Sequence, residues 1–228
     1  MNREHHSSFD NFFTKEINDL LDKIELEIGS DYTPNSDLIL RVLNNDLSKV
    51  KVIWLGQDPY FQEGVATGRS FEPADVTSWF DKYRQVSLKN IIRGIYKAYN
   101  DEFLTYTEIL KLIAYNQFEL KEPKEWFDSL EQQGVMFLNT YLTCIVNNAN
   151  AHRKVWKEFS KKLFEYIYNY NKDISWFLWG NEAKSILDIV PVKNYSSNHP
   201  MMCSNKNKED FQFNNCFKDT KDIINWLG

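Results

Sequence analysis

Three side chains able to do chemistry stand where predicted strands run out. Asp58 lies in "GQDPYF" (56–61), directly after "KVKVIWL", a run apolar and β-branched enough to be a strand buried on both faces. Asn139 closes "GVMFLNT" (134–140), and His199 follows "VKNYSS" (192–197). A carboxylate and an imidazole can hold or exchange protons, and an amide presents a donor and an acceptor in one plane. Taken singly, each has an ordinary structural use: a turn-forming Asp, a strand-ending Asn, a loop His kept out of a helix by Pro200. Their joint placement is informative, because each closes a different predicted strand.

The elements that would position them alternate along the chain. Strands are predicted at 49–56, 134–140, 173–180 ("DISWFLWG") and 192–197. Helical patterns fill the gaps. "SFDNFFTKEINDLLDKIELEIG" within residues 1–30 has Ser8 or Asp10 as candidate caps, and "SLKNIIRGIYKAYN", "EPKEWFDSLEQQ", "HRKVWKEFSKKLFEYIYNY" and the terminal "DTKDIINWLG" follow. This order predicts a single three-layer α/β/α domain over 1–228, with a central, mainly parallel four-stranded sheet. In open parallel sheets ligands bind beyond the carboxyl ends of the strands. Those ends carry Gln57 and Asp58, then Asn139, then Gly180 and Asn181, then His199.

Composition narrows the class. The 43% hydrophobic and 15% aromatic content exclude disorder, and no apolar run approaches the ~20 residues of a membrane span. "MNREHHSSFDNFF" lacks the apolar core of a signal peptide, so a soluble, cytoplasmic protein without a membrane partner is expected. Cys144, Cys203 and Cys216 form neither a disulfide framework nor a zinc spacing. The net charge is −5, but from residue 151 onward twelve Lys and Arg face nine Asp and Glu, against fifteen and twenty-three before it. The carboxyl-terminal third is the better side to meet an anion.

"GQDPY" after an apolar strand, "QGVMFLNTYLT", "FLWGNEA" and "HPMMCS" occur in the order and spacing of the motifs of the uracil-DNA glycosylase superfamily, and the chain most resembles its family 1 type. "YTPNSDLI", "GRSFEP", "SLKNI" and "ANAH" are supporting matches, and the resemblance runs from about Tyr32 to Trp226.

The resemblance implies a monofunctional DNA glycosylase that flips a base out of DNA and hydrolyses its N-glycosidic bond, most simply that of uracil in base excision repair. Asp58 would orient water and stabilise the cationic sugar, and neutral His199 would donate to the departing base. Asn139 would read uracil, Phe71 would stack on it, Tyr60 would exclude a C5 methyl, and Gln57 would add contacts. Ser87, Asn181 and Ser204 match phosphate-holding loops. No cofactor or metal is implied. DNA is the expected partner, a monomer the expected state, and the sequence identifies no inhibitor protein.

Departures from the family pattern cluster near the substrate. Phe61 replaces a usual His, Thr67 and Arg69 replace a His and an apolar residue, and Asn181 replaces a frequent Ser. "HPMMCS" puts Cys203 where a Leu wedge is usual, so Met201 or Met202 is the candidate replacement. A segment at about 94–126 is longer than usual. Two other readings therefore stay open: excision of a modified pyrimidine from phage DNA in antiviral defence, and a non-catalytic DNA- or protein-binding module.

Overall fold

A computed structural model describes residues 1–204 and 207–228. Strands β1 (Val52–Gly56), β2 (Val135–Asn139), β3 (Ser175–Trp179) and β4 (Lys193–Ser197) form one sheet in the order β2-β1-β3-β4, parallel throughout. Every residue of β1, β2 and β3 is buried, as their unbroken apolar runs require, whereas edge strand β4 is largely exposed.

Alternate residues of each strand feed two cores. Ile53, Leu55, Met136, Leu138, Trp176 and Leu178 pack on one face under α1 (Lys15–Ile28) and α5 (Arg153–Tyr170). Trp54, Phe137, Phe177 and Trp179 pack on the other, under α2 (Val86–Asn100), α3 (Tyr106–Ala114), α4 (Pro123–Gln132) and α7 (Cys216–Thr220). A short helix, α6 (Asn181–Lys184), follows β3. These layers are the α/β/α arrangement expected from the alternating elements. Among the described residues no helix is long and apolar enough to cross a membrane.

Two helix boundaries differ from expectation. The amino-terminal helix begins at Lys15, capped by Thr14, whose Oγ1 accepts from the Ile17 amide at 3.3 Å; neither Ser8 nor Asp10 caps it. Residues Ser7–Phe9 instead form a tight turn that buries Phe9. The last helix ends at Thr220, earlier than "DTKDIINWLG" suggests, and the chain then turns so that the Trp226 carbonyl accepts from the Trp126 indole at 2.7 Å. Within 94–126, α3 starts on a full capping box between Thr105 and Glu108.

Candidate active site

The pairing of β1 with β2 continues past the strands. Gly56 lies opposite Asn139, the Thr140 amide and hydroxyl donate to the Gly56 carbonyl at 2.9 and 3.0 Å, and the Tyr141 amide donates to the Gln57 carbonyl at 2.9 Å. Asp58 and Asn139 therefore leave the sheet side by side. Beyond them Pro59 is buried, and its carbonyl accepts from the Cys144 thiol at 3.6 Å. This contact and the proline ring limit where the Asp58 backbone can go.

Asp58 Oδ1 is closed off from solvent and has no hydrogen-bond partner among the described residues. Burial pushes its carboxyl up to about 6; the Asn150 amide pulls the other way, and the nearby negative charge of Glu182 adds to the rise. Glu182 is itself held, accepting from the Tyr141 hydroxyl at 2.5 Å and pairing with Arg153 at 3.1 Å. Gln57 donates its amide to Asn150, so the loop after β2 closes over the loop after β1.

Asn139 is buried, and its Oδ1 lies so close to Gly56 that a Cβ there would meet it at 2.3 Å. Phe71 holds φ +63°, a left-handed conformation unusual for an aromatic residue. Its ring packs edge-on against Trp179 at 5.5 Å and lies within 28° of parallel to the His199 ring at 6.2 Å. The Tyr60 hydroxyl donates to the Phe71 carbonyl at 3.3 Å, which ties the "GQDPY" loop to this aromatic floor. His199 follows β4, and its Nδ1 accepts from the Met201 amide at 3.2 Å. In the neutral ring that hydrogen bond leaves the proton on Nε2, and burial lowers the pKa so that the neutral form prevails. A cleft of about 280 Å³ opens on Gln57, Asn181, Glu182 and His199.

The remaining candidates surround this centre. Ser87 lies in the first turn of α2, and Asn181 is exposed at the start of α6. Met201 and Met202 project, at 63% and 66% exposure, while Cys203 turns inward against the aromatic core. Of the three wedge candidates, the two methionines reach solvent. Ser204 donates to Asp210 at 2.5 Å, and Asp210 also accepts from Asn198 at 3.0 Å, so the loop is cross-braced.

Sequence patterns do not single out two supporting groups. One is Tyr141, Glu182 and Arg153, drawn from three elements around Asp58. The other is Asn90, buried in α2, which donates to the Pro200 carbonyl at 2.6 Å while its Oδ1 accepts from Arg93 at 2.8 Å. The arginine fixes the orientation of that amide, and the amide holds the residue next to His199.

Arg69, one of the departures, is 5% exposed and pairs with Glu72 at 2.9 Å, Asp128 at 2.8 Å and Glu131. The cluster ties the Phe71 segment to α4 beside a larger hollow of about 500 Å³, apart from the residues above. Arg69→Met should leave three carboxylates facing one another and cost about 2 kcal/mol, less than the ~3–5 of a fully buried pair because Asp128 and Glu131 keep some solvent. Urea unfolding of the two proteins checks this; equal midpoints would refute it.

No protein-family model matches the chain. The uracil-DNA glycosylase of Fusobacterium nucleatum is 32% identical over 155 residues, 68% of this chain and 58% of that protein. This chain thus spans less than two thirds of that relative. The uracil-DNA glycosylase of Streptococcus gordonii is 29% identical over 227 residues, 95% of this chain and 92% of that protein. The solved wild-type UNG from Nitratifractor salsuginis superposes with a TM-score of 0.73 at 20% identity, covering 96% of this chain and 92% of that one, which establishes a shared fold. Kinship with proteins of that name, at 32% identity over 68% of the chain and 29% over 95% of it, on the fold of a solved UNG, makes this chain a divergent member of the uracil-DNA glycosylase superfamily.

Proposed function

We propose that the protein excises uracil from DNA, hydrolysing the N-glycosidic bond of a flipped nucleotide to leave an abasic site in base excision repair. The observation that carries this reading is the half-buried Asp58 carboxylate, whose Oδ1 is closed off from solvent and unpartnered among the described residues, set at the same sheet edge as the Asn139 amide. As the bond between C1′ and the base breaks, the sugar becomes cationic and the base leaves with the bonding electrons. Asp58 stabilises that cation and orients the water that adds to C1′, and it takes up the proton the water loses. His199, neutral with its proton on Nε2, donates to the O2 of the departing base. Both interactions strengthen as charge develops, which is the condition for accelerating the step.

Recognition requires the Asn139 amide to be held in one orientation, and its buried place opposite Gly56 supports that. Asn139 can accept from uracil N3–H and donate to O4, a pairing that cytosine inverts. The Tyr60 anchor to the Phe71 carbonyl keeps an aromatic edge near the base, which favours uracil over pyrimidines with bulky C5 substituents. Flipping costs a few kcal/mol of unstacking, and the exposure of Met201 and Met202 supports a role for them in filling the gap.

The test is base release from matched oligonucleotides carrying uracil, thymine, cytosine, 5-hydroxymethyluracil or glucosylated hydroxymethylcytosine. Uracil release alone supports the proposal, and release of only a modified base replaces it with the defence reading. Met202→Ala should slow release from duplex about fivefold and from single strands hardly at all, since only the duplex must be held open. Equal losses on both would remove Met202 from flipping.

A further inference from the structure

The outward face of α2 carries a row of cations that form no ion pair among the described residues. Lys89, Arg93 and Lys97 recur every fourth residue, so they form one stripe along about 12 Å of helix axis. Each donates to a neutral partner: Lys89 to the Tyr83 carbonyl at 2.8 Å, Arg93 to the Leu104 carbonyl at 2.8 Å and to Asn90, and Lys97 to the Gln212 carbonyl at 2.6 Å. Each also lies over an aromatic ring, Lys89 over Tyr83 at 4.7 Å, Arg93 over Phe103 at 4.2 Å and Lys97 over Phe213 at 6.0 Å. Of the neighbouring acids, Asp101 pairs with Lys218 and Glu108 accepts from Thr105; their charges reach Lys97 and Arg93 through space, without an ion pair to either. The stripe lies in the acid-rich part of the chain, so bulk composition does not account for it.

Its position ties it to the cleft. The row starts two residues after Ser87 and flanks the loop that carries Met201 and Met202. Asn90 holds that loop at Pro200, and Lys97 holds it at Gln212, whose side chain donates to the Ser204 carbonyl at 2.5 Å. The aromatic rings cover the side-chain stems and keep the charged ends in register.

We propose that this stripe tracks the phosphate backbone of the DNA beyond the flipped nucleotide, extending the footprint along α2. The inference rests on the protein being a DNA glycosylase. About 12 Å of positive charge spans three to four phosphates at ~3.4 Å of axis each, and phosphate contacts of this kind carry affinity without sequence preference.

The experiment uses the full chain with Asp58→Asn, so that uracil-containing duplex is bound but not cleaved, and follows fluorescence anisotropy across a salt series. Lys89→Gln/Lys97→Gln should flatten log affinity against log salt by about 0.9 per lysine, whereas Lys89→Arg/Lys97→Arg keeps the slope. Lys23→Gln/Lys172→Gln, on the opposite layer, should change nothing. Arg93 is left intact because it also orients Asn90, and Lys89→Gln alone, which leaves the Lys97 anchor to Gln212 in place, should give half the change in slope. An unchanged slope in a Gln double variant that melts normally would overturn the stripe. A second arm needs no variant at the stripe: duplexes shortened by four nucleotides on one flank should lose a comparable slope, and insensitivity to shortening on either flank would likewise overturn it. Failure of the chain to bind DNA, with no base release by the unmodified protein, would overturn the glycosylase reading instead.

Discussion

Asp58→Asn should cut uracil release by at least about 10³-fold while leaving affinity for uracil-containing duplex within about threefold. The amide keeps the shape of the side chain but lacks the negative charge that faces the cationic sugar, and it cannot accept the proton lost by water. Ground-state binding depends on phosphates and on the base, which Asp58 does not hold, so kcat falls and affinity does not. Protonation of the wild-type carboxyl should mimic the substitution. With burial pushing Asp58 up to about 6, single-turnover release should rise with pH through about 6 and level off above it. A wild-type profile flat from pH 5 to 7, or an Asn variant retaining a tenth of the rate, would remove Asp58 from this role.

The same carboxyl makes an independent prediction about stability. Its folded pKa lies above the ordinary Asp value of 3.8, so the native state holds the proton more tightly than the unfolded chain and loses stability as pH rises from about 4 to about 6. Asp58→Asn removes that loss. The variant should therefore melt higher than wild type at pH 8 and level with it near pH 4, and the opposite ordering would contradict a buried carboxylate. A group that weakens the fold in its working form is expected of a catalytic position, because burial is what withholds water from the charge.

How much of this was legible depended on whether the signal was local. Three of the four strands could be read because β1, β2 and β3 are buried on both faces and show unbroken apolar runs, while the exposed β4 is less clear in sequence; the observed ends of all four fall within three residues of expectation. From those ends, the sequence alone sets Asp58, Asn139 and His199 at one edge. The start of α1 could not be fixed, since Ser8, Asp10 and Thr14 are all local acceptors. The choice falls to Thr14, whose extended backbone follows a turn that buries Phe9 and Phe12.

Tertiary partners were illegible for the same reason. Asn90 and Pro200 meet across 110 residues, and nothing in "SLKNI" announces which loop the amide will hold. Glu182 follows a predicted strand end, yet its charge bears on Asp58 because Tyr141 and Arg153, distant in sequence, hold it there. Cys203 stood in line with the methionines in sequence, and only the path of the loop shows that it turns inward while they turn out. Sequence position supplied the candidates, and packing sorted those that face solvent from those that hold the scaffold.

Gly56→Ala should lower kcat/KM for uracil by about 10²-fold without unfolding the protein, although Gly56 lies at an extended strand end and its backbone conformation is open to alanine. The obstacle is space. A Cβ would stand 2.3 Å from Asn139 Oδ1 and 2.8 Å from Ser70 Cβ. Ser70 cannot retreat, because its hydroxyl donates to the Trp54 carbonyl at 2.9 Å, and the register of β1 with β2 keeps the Asn139 backbone opposite Gly56. The amide must therefore rotate, and a displacement of about 1 Å in a positioning group can cost that factor. Asn139→Asp changes the chemistry and not the position: it removes the donor to uracil O4 and offers an acceptor to the cytosine amino group. Its uracil rate should fall and cytosine release should appear, whereas Gly56→Ala should lose uracil without gaining cytosine. Measured side by side on uracil and cytosine oligonucleotides, the two variants separate geometry from donor pattern; wild-type kcat/KM in Gly56→Ala would show that the Asn139 amide is not fixed by its contact with β1.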